Sequence, residues 1–127
     1  MVLYGVPKAS KDDIDNAIKT AFGMFDALKE FNKKFRSEGY PSVEVGIGIN
    51  YGAVVCGNIG SRRQMNFTVI GDEVNLASRL CSNASPGEVL ISKSVFEGTR
   101  LQSHFKARSA LRVKGKEKEV EVWISSK

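Results

Sequence analysis

From Ser10 to Gly39 the apolar positions Ile14, Ala17, Ile18, Ala21, Phe25, Leu28, Phe31 and Phe35 recur at intervals of three and four. That is the period of one helix face, so the segment predicts a single long amphipathic helix with its aromatic stripe in the core. Ser10 with Asp13 three residues on is a weak capping box, and Gly39 with Pro41 ends the helix. The period then shortens. In VEVGIGIN, Val43, Val45, Ile47 and Ile49 alternate with polar or small residues, as in a strand. Asn50-Tyr51-Gly52 reads as a tight turn into a second strand over 53–59, which together predict a hairpin. A short strand is expected over 67–70, then a helix capped by Asp72 and running to about Asn83. Residues 89–91 predict a strand, Ser92 the cap of a short helix, and 105–113 with 119–124 a closing pair of strands around Lys114-Gly115-Lys116. Val2 to Tyr4 reads as the tail of a strand. This order predicts one α+β domain over residues 1–127 with a largely antiparallel sheet and helices packed on it.

Composition narrows the class. A chain of 127 residues, 42% hydrophobic and 26% charged, can bury a core without disulfides or metal staples. No apolar run approaches the ~18 residues of a membrane-spanning helix. The two cysteines, Cys56 and Cys81, form no C-x-x-C pair and have no neighbouring His, so they read as buried thiols in a reduced, cytoplasmic setting. The net charge of +5 is mild and mixed in sign; it favours phosphate-bearing ligands without demanding them. The strands VEVGIGIN and AVVCGNIG carry no aromatic residue on which bases could stack, which argues against a nucleic-acid platform. His104, the single His, has no acidic or Cys neighbour in sequence and suggests no metal site. GIGINYG misses the G-x-G-x-x-G dinucleotide spacing by one residue, and no G-K-[ST] is present.

The densest chemistry lies in FTVIGDEVNLASR, residues 67–79. At 100° per residue, Val74, Leu76, Ala77, Leu80 and Cys81 fall on one side of the helix, and Asn75, Ser78, Arg79 and Ser82 on the other. Asn75 and Arg79, four apart, project together. An amide beside a guanidinium suits a sugar hydroxyl and a phosphate. An ordinary polar surface has the same pattern, so spacing alone does not decide between them.

The run GIGINYGAVVCGNIGSRRQMNFTVIGDEVNLASRL, followed by SPGEVLIS and LRVKGKEKEVEVW, resembles the class III nucleotidyl (adenylate/guanylate) cyclase catalytic domain throughout its length. MVLYGVP resembles the segment just after that family's second metal-binding Asp. The resemblance implies the C-terminal part of a ferredoxin-like cyclase palm, truncated before the metal-binding segment. It implies that Asn75 positions the ribose, that Arg79 stabilises the α-phosphate in the transition state, that Thr68 reads adenine, and that Lys114 holds the terminal phosphates. ATP is therefore the expected substrate ahead of GTP, and cyclic AMP with pyrophosphate the products. Mg or Mn ions belong to the intact family domain; none is expected on this chain alone, since Asp12, Asp13, Asp15 and Asp72 match no metal motif and read as capping or surface groups. Gln64 and Asn66 replace the Arg and Asp common in the family's basic loop. The implied partner is a second cyclase catalytic domain, as a homodimer in the parent protein. No nucleic-acid or membrane contact is expected, and the chain is expected to be inactive by itself. A non-catalytic cyclase-like dimerisation module is the alternative.

Overall fold

The computed structural model describes residues 1–5, 8–59, 66–112 and 119–126, with backbone alone at 56–59, 66–70, 109, 111–112 and 126. Its elements are α1 (Asp13–Ser37), β1 (Ile47–Ile49), β2 (Val55–Ile59), β3 (Asn66–Ile70), α2 (Asp72–Asn83), β4 (Glu88–Ser92), α3 (Lys93–Gly98), β5 (Lys106–Arg112) and β6 (Glu119–Ser126), with a 3-10 turn at Gln102–His104. Four strands form a sheet in the order β1-β4-β6-β5. The α+β class with helices on a mostly antiparallel sheet is as the sequence predicts: β4 with β6 and β5 with β6 are antiparallel, and β1 with β4 is parallel.

The core is two-sided because β4 is apolar on both faces. Val89 and Ile91 pack with Ile18, Ala21 and Phe25 of α1, Val95 of α3 and Phe105. Leu90, pointing the other way, packs with Leu76 and Leu80 of α2 and Val122 of β6. Each fully buried Leu contributes about 1.5–3 kcal/mol. On the α1 and α3 side Phe96 stacks on Trp123 with ring centroids 4.5 Å apart.

The predicted hairpin between 43–50 and 53–59 does not form. Ile47–Ile49 pairs in parallel with Val89–Ile91, while β2 pairs with β3 as a separate two-stranded ribbon. The turn residues were legible, but pairing is decided by the buried β4, which needs a neighbour on each side. Val2 to Tyr4 belongs to no strand; the segment is exposed, with the Tyr4 hydroxyl donating to Thr20 on α1.

Helix α1 starts at Asp13, and the expected cap survives in part: the Asp13 carboxylate accepts from the Ser10 N–H at 2.7 Å. Its far end is a Schellman motif. Gly39, at φ +86°, lets its N–H reach Arg36 O and the Tyr40 N–H reach Phe35 O at 2.9 Å. Tyr40 then packs on Phe35, ring centroids 5.4 Å apart. The aromatic stripe is core only in its first half. Twenty-five residues span ~37 Å, far more than a five-residue strand of ~17 Å, so the last turns overhang the sheet and Phe31 is 45% exposed, resting on Phe35.

Asp15 corrects the surface reading given to it. It is 6% exposed and ties α1 to the segment after α3. Its Oδ1 accepts from the Thr99 hydroxyl at 2.5 Å and the Arg100 N–H at 3.1 Å; its Oδ2 accepts from Arg100 Nε at 2.8 Å. Arg100 also reaches Asp12 at 2.6 Å. The Thr99 hydroxyl, aided by Arg100, outweighs burial and holds the Asp15 carboxyl below its usual value. Its ionised form therefore stabilises the fold fully above the unfolded carboxylate range near pH 4, and that contribution disappears as pH falls through the lowered folded value. Asp15→Asn should be less stable than the parent chain at pH 6, and the difference should shrink as pH falls below about 4. Denaturant titrations from pH 6 to pH 2 measure this, and a difference that stays constant across the range contradicts it.

Candidate functional site

Helix α2 carries the polar pair, and three glycines determine where it sits. A Cβ on Gly48 would lie 2.3 Å from the Cys81 backbone nitrogen and 2.8 Å from Leu80. One on Gly46 would lie 2.7 Å from the Ala84 carbonyl oxygen, and one on Gly52 2.5 Å from the Glu73 carboxylate. The alternation of Gly with Ile in VEVGIGIN is thus a surface cut back so that a helix can lie directly on β1. With Leu76 and Leu80 turned into the core, Asn75 and Arg79 face outward and both are exposed. Among the described residues neither side chain has a hydrogen-bond or ion-pair partner. The expected N-cap moves by one residue: Gly71, at φ +139°, occupies that position and Asp72 is the first helical residue. A left-handed φ at the junction suits glycine, and no atom of the described residues lies within 4 Å of where its Cβ would be.

Thr68 lies on β3, in register with Gly57 of β2. It precedes the Gly71 junction by three residues and Asn75 follows it by four, so ribbon and helix meet at one hinge point. Lys114 lies outside the described residues. Beside the first turn of α2 is a groove of about 640 Å³ lined by Asn50, Tyr51, Glu73, Ser92, Ser94 and Glu121. Two further lining residues, Ala110 and Glu119, stand in sequence on either side of 113–118, the stretch that carries Lys114.

The groove wall contains residues that the sequence did not mark. Asn50 Nδ2 donates to the Glu73 carbonyl at 2.9 Å and to its Oε2 at 2.6 Å. Ser94 Oγ donates to the Tyr51 carbonyl at 2.8 Å, with Asn50 Oδ1 a longer alternative at 3.4 Å. The sequence signal was the polar Asn50 directly after the apolar Ile47–Ile49. Cys81, expected to be a buried thiol, is exposed, its Sγ 3.6 Å from the Gly46 carbonyl at the flank of α2. Cys56 has no described side chain. Among the described residues no three His, Cys, Asp or Glu side chains converge as a metal site, and no helix is long and apolar enough to cross a membrane.

Residues 1–126 match the family described as the Adenylate and Guanylate cyclase catalytic domain. The chain belongs to that family. Similar proteins include an adenylate cyclase of Anabaena cylindrica, 34% identical over 118 residues, which cover 86% of this chain and 24% of that protein. Among solved structures, the guanylyl cyclase Cya2 superposes with a TM-score of 0.87 at 32% identity, over 96% of this chain and 62% of Cya2. The adenylyl cyclase CyaB from P. aeruginosa gives 0.82 at 27% identity, over 98% of this chain and 65% of CyaB. The chain thus spans about a quarter of the Anabaena cyclase and under two thirds of either solved domain. Cyclases of both nucleotide classes stand among these relatives.

Proposed function

We propose that this chain contributes the ribose- and phosphate-handling half of a nucleotidyl cyclase site, converting ATP to 3′,5′-cyclic AMP and pyrophosphate when a second catalytic domain completes the site. The observation that carries the reading is the outward presentation of Asn75 and Arg79 from a helix locked down by Leu76, Leu80 and the close approach at Gly46, Gly48 and Gly52. In the reaction the ribose 3′-oxygen forms a bond to the α-phosphorus, the bond from that phosphorus to the bridging oxygen breaks, pyrophosphate leaves, and the 3′-hydroxyl proton is lost. Asn75 offers an amide donor and acceptor to orient the ribose. Arg79 supplies a planar, always-charged fork for the negative charge that grows on the α-phosphoryl oxygens. The Thr68 hydroxyl accepts from the exocyclic amine of adenine, which favours ATP over GTP. Lys114 is assigned to the leaving pyrophosphate by family resemblance.

The Mg or Mn ions of the intact family domain do not fit this residue set. Asp12 and Asp15 are engaged by Arg100, Asp13 by the Ser10 N–H, and Glu73 by Asn50. The family's two metal-binding Asp residues have no counterpart in these 127 residues, so in this reading other residues of the completed assembly hold the ions.

Complementation tests the proposal. The chain is mixed with a family catalytic domain that keeps its metal-binding Asp pair but lacks its own Asn and Arg, and product is assayed from ATP and from GTP with Mn²⁺. Cyclic AMP from the mixture alone is the expected result. Cyclic GMP in its place would overturn the substrate assignment. Silence from two folded, associated chains would favour the non-catalytic pairing module.

A further inference from the structure

We infer that Asn50 is a positioning residue for the reaction, holding the first turn of α2 and through it Asn75 and Arg79; this rests on the cyclase reading above. Four linked features converge on one point. The Asn50 amide donates to both the carbonyl and the carboxylate of Glu73, two residues before Asn75. Those two acceptors fix the orientation of the amide. Gly52 leaves the space that the Glu73 carboxylate fills, since a Cβ there would stand 2.5 Å from it. Ser94, at the start of α3, donates to the Tyr51 carbonyl at 2.8 Å and so fixes the backbone next to Asn50. Ser92 Oγ, 3.0 Å from Ser94 Oγ, links that contact to the end of β4.

The consequence for chemistry comes from where this latch acts. The opening N–H groups of a helix have no intrahelical acceptor, and its first turn frays most easily. Gly71, which precedes α2, adds freedom there, and among the described residues no side chain caps the helix. Leu76 and Leu80 hold the middle of α2, but Asn75 lies at the edge of the anchored part. The contact from Asn50 therefore converts a helix start that could pivot about Gly71 into one with a fixed direction. Both functional side chains lie within two turns of it.

The test uses the full chain in the complementing assembly. Asn50→Asp is nearly isosteric, yet it sets a carboxylate against the Glu73 carboxylate and carbonyl. It should lower kcat about ten- to hundredfold, in line with the ~10²-fold cost of an ångström-scale misplacement, while KM for ATP moves less than about threefold. Asn50→Asp with Glu73→Gln restores a side-chain hydrogen bond of reversed polarity and should recover at least about tenfold of the kcat lost. Unchanged kcat in Asn50→Asp, or equal loss in the single and double variants, overturns the assignment. If the parent assembly makes no cyclic nucleotide, the cyclase reading fails instead. Amide exchange then decides the latch alone: faster exchange over 75–78, the first amides of α2 with helical acceptors, in Asn50→Asp, with Ile18 to Phe25 unaltered, supports it, and equal exchange overturns it.

Discussion

Arg79→Ala in the complementing assembly should cost about a hundred- to a thousandfold in kcat, the usual result of removing one preorganised group aimed at developing charge. Because Arg79 is exposed and has no partner among the described residues, the folded chain itself should hardly register the change. Stability should stay within about 0.5 kcal/mol of the parent, as for most surface substitutions. That combination separates a chemical role from a structural one. Arg79→Lys is the sharper variant: it keeps the charge but loses the planar fork, so most of the activity should remain lost. Steady-state kinetics with ATP, alongside a denaturant titration of each variant, reads both quantities. A kcat within threefold of the parent for Arg79→Ala would remove Arg79 from the transition state.

Gly48→Val should destabilise the chain by about 2–3 kcal/mol, at the upper end of what overpacking costs. The reason is the identity of the atoms in the way. The new Cβ would meet the backbone nitrogen of Cys81 at 2.3 Å, and backbone cannot rotate aside as a side chain does. The whole of α2 has to lift from β1, carrying Leu76 and Leu80 partly out of the core that they share with Leu90 and Val122. A loss of that size lowers Tm by about 10 °C in a domain of this length, and activity in the assembly should fall with it. Gly23 is the control. It sits mid-helix in α1 with none of the described residues within 4 Å of its Cβ position, so Gly23→Ala should add about 0.5–1 kcal/mol. Thermal melts of the two variants side by side distinguish a glycine needed for close approach from one that is merely tolerated.

What the sequence revealed, and what it did not, divides along the range of the interactions. The spacing from Ile14 to Phe25 and the placing of Asn75 and Arg79 on one helix face depend on neighbours three and four apart, and both were legible. So was the end of α1, because the Schellman bonds around Gly39 are local. The pairing of β1 was not legible. Asn50-Tyr51-Gly52 has the chemistry of a hairpin turn, yet Ile47 pairs with Val89, forty-two residues away, because β4 requires cover on both edges and both faces. Phe31 kept the helical rhythm and still faces solvent, since periodicity records which side of a helix is apolar but not how far the sheet beneath it extends. Asp15 read as one more acidic residue in a first turn; its partners Thr99 and Arg100 lie more than eighty residues away. For the same reason the Asn50–Glu73 contact, across twenty-three residues, escaped notice. Roles for Thr68 and Lys114 came from family resemblance rather than from any local pattern.

The strand order has a consequence for how such a domain is made. Both interior strands of the sheet are β4 and β6, and β6 pairs with β4 on one edge and β5 on the other. It is also the last described element to be synthesised. Val122 and Trp123, which close the two faces of the core, therefore leave the ribosome after everything they are meant to cover. Until then Leu90 lacks Val122, one edge of β4 is unpaired, and the nascent chain passes through a stage with an unfilled slot in the middle of its sheet. Such a slot is open to any strand of suitable pattern, which makes the interval before β6 emerges the one in which this fold depends most on chaperone protection.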